Sequence, residues 1–120
     1  MKDISIICYN DFGITFRWKR CAVEDFNKVQ LVFENIRLFL KQNELIQFSK
    51  NVELALERAD PSKNNKAYDP LELFLLEGPN PQVSFAISYV ELEKMQDLVC
   101  NTLFQLGLDR FLGKQKISYN

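Results

Sequence analysis

Asp11-Phe12-Gly13 spells the triplet with which protein kinases hold a metal ion over the transferred phosphate. That chemistry also needs a glycine-rich loop, a strand lysine paired with a helix glutamate, and a catalytic-loop motif. None of these is present in the 120 residues, so the triplet reads as a hairpin turn. Two groups of carboxylates, Glu91 with Glu93 and Asp97, and Glu24 with Asp25, have the residue types for acid–base work or Mg²⁺ ligation. Glu91 and Glu93, however, fall at the start of a helix, where acids cap the first turn and oppose the positive end of the dipole. Cys8, Cys21 and Cys100 are odd in number and widely spaced. They fit reduced thiols that pack as small hydrophobes, in the cytosol, better than a disulfide framework. Cys21 beside Arg20 is the better placed of the later two for thiolate chemistry, yet neither has an evident electropositive setting. Histidine is absent, which removes the commonest general base and transition-metal ligand. The expectation is therefore no catalytic residue, no metal site, no cofactor and no enzyme.

Phe16-Arg17-Trp18-Lys19-Arg20 is the one dense basic and aromatic run. Interleaved rings and cations suit single-stranded nucleic acid, with Arg17, Lys19, Arg20 and Lys28 as the contacts. On a strand, though, the rings and the Arg17/Lys19 pair point to opposite faces, which favours a wet basic face over core aromatics. Fifteen basic and sixteen acidic residues leave a net charge of −1, so no overall field draws in nucleic acid or an anionic membrane. No run of ~18 uncharged apolar residues is present, and the N-terminus lacks the pattern of a signal peptide. A cytoplasmic protein outside the membrane is the expectation.

The elements that must position these residues follow from periodicity. Ile4–Tyr9 and Gly13–Trp18 are rich in β-branched and aromatic residues, with turn formers and a glycine free to take positive φ between them. This is a first hairpin, with Ile14, Phe16 and Trp18 on its apolar face. Residues 28–33 and 36–41 alternate around Glu34-Asn35 and make a second hairpin. Asn43 is then a plausible N-cap for a helix over Glu44–Arg58, with Leu45, Phe48, Val52 and Leu56 on one stripe. Asp60 to Pro70 is polar and bracketed by prolines, a long surface loop without regular structure. Leu71–Leu76, the stiff turn Gly78-Pro79-Asn80-Pro81, and the alternating Val83–Ser88 give a third hairpin. Ser88 and Glu91 have capping-box spacing, opening a second helix with Leu92, Met95, Val99, Leu103 and Leu106 inward and Gly107 at its end.

At an offset of 47 residues the second and third hairpin–helix segments overlay. Ile36 matches Val83, Leu38 Phe85, Leu40 Ile87, Glu44 Glu91, Phe48 Met95 and Val52 Val99. Either duplication or convergence on one packing scheme accounts for this pseudo-repeat. The expected fold is α+β in ββ-ββα-ββα order: mainly antiparallel hairpins with two amphipathic helices on one face of one sheet. One domain, 1–120, is the default for this length, with the N-terminal hairpin in 1–27 and hairpin–helix units in 28–58 and 71–107. The run from Cys21 through Val29-Gln30-Leu31-Val32-Phe33-Glu34-Asn35-Ile36 and Leu38, then Glu44-Leu45 and Phe48, resembles the hairpin-then-helix core of a family of short, functionally uncharacterised bacterial proteins, mostly from Bacteroidetes. The resemblance implies that fold and no activity.

The functional lead is subtractive. If Leu31, Phe33, Leu38, Leu40, Val83, Phe85 and Ile87 face the helices, the opposite face presents Val32, Phe39, Phe74, Leu76 and Ala86 amid Arg37, Glu72 and Ser84. Such a patch is too apolar to be left in water. Its cover is either the first hairpin or the C-terminal segment with Leu108, Phe111 and Leu112, or a second chain. The first functional expectation is thus a non-enzymatic, self-associating interaction module, most simply a homodimer. The second is a metabolite-binding regulatory domain, with a pocket between the sheet and the 60–70 loop and Tyr68 as a contact.

Overall fold

The computed structural model describes residues 3–19, 28–64 and 67–108, with only the backbone of Asn64. Arg20, Cys21, Glu24, Asp25, Phe111 and Leu112 lie outside the described residues. The fold is α+β: β1 (Ile4–Tyr9), β2 (Gly13–Trp18), β3 (Val29–Phe33), β4 (Ile36–Leu40), α1 (Gln42–Ala59), α2 (Pro61–Asn64), β5 (Leu73–Glu77), β6 (Ser84–Ser88) and α3 (Tyr89–Gln105). Strands β1 to β4 form one antiparallel sheet in sequence order, and β5 and β6 pair separately. The single sheet expected from the pattern is therefore two. The junction is filled by rings: Phe85 stands edge-on to Phe33 at 5.5 Å and to Phe48 at 6.4 Å between centroids.

Both sheets turn an inner face to the helix pair. Val29, Leu31, Phe33 and Leu40 from the larger sheet and Leu76 and Ile87 from the smaller share one buried cluster with Leu45, Phe48 and Val52 of α1 and Leu92, Met95 and Val99 of α3. The stripe on α3 is broader than its sequence period suggests. Leu98 and Thr102 are buried beside it, because α3 packs on β1 and β2 as well as on α1 and β6.

Helix α1 begins two residues earlier than its pattern suggests, and Asn43 is not its N-cap. The Glu44 carboxylate accepts the Lys41 amide at 2.8 Å, which satisfies an otherwise unpaired donor and starts the helix there. The box on α3 is complete: Ser88 Oγ accepts from Glu91 N at 3.2 Å and Glu91 Oε1 from Ser88 N at 3.1 Å. At the other end, Gly107 takes φ 73°, Gly107 N donates to Phe104 O and Leu108 N to Leu103 O, closing the helix with buried Leu108 over its last turn. The 60–70 stretch is not wholly irregular, since α2 starts on Pro61, whose missing N–H is no loss at a first helical position. Asp60 Oδ1 accepts both the amide and the hydroxyl of Ser62, and the hydroxyl in particular holds the Asp60 carboxyl below its usual range.

Candidate functional site

The hairpin turn that carries Asp11-Phe12-Gly13 is fully engaged in structure. Asn10 Oδ1 accepts from Phe12 N and Gly13 N, and its Nδ2 donates to Lys94 O at 2.9 Å, tying the turn to α3. Asp11 pairs with Lys94 at 2.8 Å on the surface, and Phe12 stacks on Phe33. Gly13 does not use positive φ. It is required because a Cβ there would lie 2.5 Å from Val32 O and 3.1 Å from Leu98.

That close approach decides which face of β2 is inward. Gly13 and Thr15 pair with Phe33 and Leu31 of the core face, and Thr15 Oγ1 meets Thr102 Oγ1 of α3 at 2.7 Å, fully buried. Thr102 spends its own hydroxyl proton on Leu98 O at 2.7 Å, so Thr15 is the donor to Thr102. A bulge at Ile7 keeps Cys8 opposite Thr15 and adds Ile7 to the core side. The expectation that Ile14, Phe16 and Trp18 form the inward face is therefore reversed. Small residues face α3, and the large ones face away from it.

The outward face so formed carries Ile4, Ile6 and Tyr9 of β1, Ile14, Phe16 and Trp18 of β2, Gln30 and Val32 of β3, and Arg37 and Phe39 of β4. Ile6, Tyr9, Trp18 and Phe39 are 52%, 73%, 40% and 44% exposed. Ile4 and Phe16 are buried yet belong to no part of the core cluster, so they form a second apolar group on this side. Phe16 and Trp18 meet edge to face at 5.6 Å, and the Lys28 ammonium lies 4.9 Å from the Phe39 ring centre. Gln30 is buried among these side chains with its Oε1 unpaired.

Of the interface residues expected from sequence, Val32 and Phe39 are on this face. Leu76 is not, being completely buried, and Phe74 is half-buried on the same inward side of β5. The alternation of β5 runs one residue out of step with expectation, and its outward residues are Leu73 and Leu75. Ala86 is exposed opposite Leu75, on the smaller sheet. The first hairpin does not cover the outer face but extends it as two further strands. Leu108 is in the core, sealing α3. Ile6, Tyr9 and Trp18 are not in the interface expected from sequence, although Gly13 and Thr15 mark β2's close-packed side.

The nucleic-acid candidates are dispersed. Arg17 is half-buried on the helix side of β2, with its Nε unpaired, Lys19 is exposed beyond the strand end, and Lys28 is on the outer face. The two described thiols face inward: Cys100 is buried, and burial, helped by Asp97, raises the Cys8 pKa and keeps it protonated. Among the described residues, no three His, Cys, Asp or Glu side chains come together as a metal-holding group. Nor, among them, is any helix long and apolar enough to cross a membrane.

Tyr68 does line a cavity, of about 250 Å³, with Ala59, Pro61, Ala67, Phe74 and Tyr89 and the charged Arg58, Asp69 and Glu72. A pair of carboxyls meets where the β3–β4 turn approaches the start of α3. Glu34, at φ 52° in the β3–β4 turn, has its pKa raised through a hydrogen bond with Glu91, whose own is lowered, chiefly by the Ser88 amide. No family model matches the chain, and no curated protein and no solved structure matches it either.

Proposed function

We propose that the chain is a non-enzymatic interaction module that self-associates as a two-fold dimer, burying the outer face of its four-stranded sheet against a second copy. The observation that carries this reading is the exposure of Ile6, Tyr9, Trp18 and Phe39 together on one face, outside the core cluster. An aromatic side chain brings ~150–250 Å², so the four leave on the order of 400 Å² of apolar surface in water. A standard interface buries ~800 Å² per partner with an apolar centre and a polar rim. Half-buried Ile14 and Val32, with Arg37 beside them, are suited to supply the remainder. A net charge of −1 sets little repulsion between two copies. The interface proposed from sequence, Val32, Phe39, Phe74, Leu76 and Ala86, is thereby replaced by Val32 and Phe39 with Ile6, Tyr9 and Trp18.

Light scattering coupled to size exclusion at tens of micromolar tests the reading. A dimer that Trp18→Glu and Phe39→Glu convert to folded monomer supports it. A wild-type monomer, or a dimer indifferent to both changes, removes it.

A further inference from the structure

We infer that the cavity between the end of α1, the 67–72 segment and the start of α3 is a binding site for a small organic cation, an alkylated ammonium group. Its walls are three rings, Tyr68, Tyr89 and Phe74, with Tyr68 and Tyr89 inclined at 69° and 6.3 Å between centroids. Ring faces are electronegative, and a cation within ~6 Å of several of them is held without losing its apolar contacts. The remaining apolar wall, Ala59, Pro61 and Ala67, suits N-methyl groups, which a bare, strongly hydrated ammonium lacks. Charge points the same way. Two carboxylates, Asp69 and Glu72, stand on the described lining against one guanidinium, Arg58. The potential at Tyr89 is negative as well: besides burial, the charges of Glu93 and Asp60 push its hydroxyl pKa up. On the described lining, an anionic ligand would meet this field and the ring faces with only Arg58 in its favour. A cavity of about 250 Å³ is ample for a trimethylammonium head, while the rest of the ligand extends through the open side.

The site is separate from the outer sheet face and does not depend on self-association. The head group is the same whether it arrives on a free metabolite or on a methylated lysine of a peptide, and the two sources are distinguished by the arms of the test. Amide shifts of Tyr68, Asp69 and Tyr89 are followed by nuclear magnetic resonance while choline, a trimethyl-lysine peptide, sodium acetate and 3,3-dimethylbutan-1-ol, the uncharged isostere of choline, are titrated in turn. Saturable shifts are expected with choline or the peptide, whichever is the tighter naming the source, with the alcohol at least tenfold weaker and acetate inert. Tyr68→Ala should weaken the cation at least tenfold, and Asp69→Asn, which keeps the amide acceptor for Leu71, about threefold to tenfold. Equal binding of alcohol and choline, preferential binding of acetate, or no saturable shift with either cation would overturn the assignment.

Discussion

The two faces of the four-stranded sheet invert the usual relation between residue type and side. On β2, the face against α3 carries Gly13, Thr15 and Arg17, while the face turned away carries Ile14, Phe16 and Trp18. What separates them is distance. A Cβ on Gly13 would lie 2.5 Å from Val32 O of the neighbouring strand and 3.1 Å from Leu98 of α3, and Thr15 is hydrogen-bonded to Thr102 of the helix. Only on β3 and β4, where Leu31, Phe33 and Leu40 reach the core, is the inward face the more apolar one. A strand pressed against a helix is selected for small size, and its large residues are left to the far side. The outer face is thus apolar as a by-product of close packing on one side.

The contrast can be broken most severely from inside. Leu31 is completely buried, and Leu31→Ala is expected to cost about 2–5 kcal/mol in chemical denaturation. Phe39→Ala, on the other face, should leave the stability of the monomer within about 1 kcal/mol. Similar losses at both positions would mean that the outer face is part of the folding core. The threonine pair gives the next largest effect. Thr102→Val strands the Thr15 hydroxyl with only Cys8 O at 3.4 Å, and should cost about 1–3 kcal/mol. Thr15→Val should cost less, because the Thr102 hydroxyl keeps Leu98 O, and the double valine variant should fall short of the sum of the two. Strict additivity would show that the two hydroxyls do not communicate.

These assignments divide what was legible from what was not. Hairpins, the two long helices and the Ser88–Glu91 box follow from local patterns that extend over a turn or a strand, and they lie within two residues of where the pattern puts them, whereas α2 and the Lys41 start of α1 do not follow from it. Which face of a hairpin is inward depends on what packs on it from far along the chain, here residues 94–102 against 8–15. Alternation alone treats Ile14, Phe16 and Trp18 as core, since nothing local records the approach of α3. The same holds for β5, where four apolar residues in a row, Leu73 to Leu76, give no phase. The split into two sheets has no local mark, and the Phe33, Phe48 and Phe85 cluster where they meet is formed from three separate segments. Of the candidate sites, Tyr68 was legible because a long polar loop with one aromatic is unusual. Its aromatic partner Tyr89 was not, because it reads as an ordinary first-turn residue of α3.

Smaller changes sharpen the account at the margins. Gly107→Ala forces a Cβ into the left-handed conformation with open space around it, so a loss of about 1 kcal/mol in thermal unfolding would be pure backbone strain. Glu34→Asn, at φ 52°, should gain up to about 1 kcal/mol for the converse reason. Glu91 has a lowered folded pKa, so its contribution is present above the unfolded value near 4.5 and is lost as pH falls through the folded one. Glu34 acts with the opposite sign: its raised pKa gives stability that is present below 4.5 and is lost as pH rises through the folded value. In a Glu34→Gln background, therefore, Glu91→Gln should lower stability by about 0.3–1 kcal/mol at pH 7 and by less as pH falls below 4.5. An equal loss on both sides of that value would assign the effect of Glu91 to packing alone.

The central claim is that the apolar outer face of the sheet is occupied by a second copy of the chain. Multi-angle light scattering of the wild type and of Trp18→Glu, each at tens of micromolar and each checked for native circular dichroism, tests it most directly. The mass should fall from about 28 kDa, twice the 14.1 kDa of one chain, to that of one chain on substitution. A wild-type mass of 14.1 kDa at that concentration would contradict it.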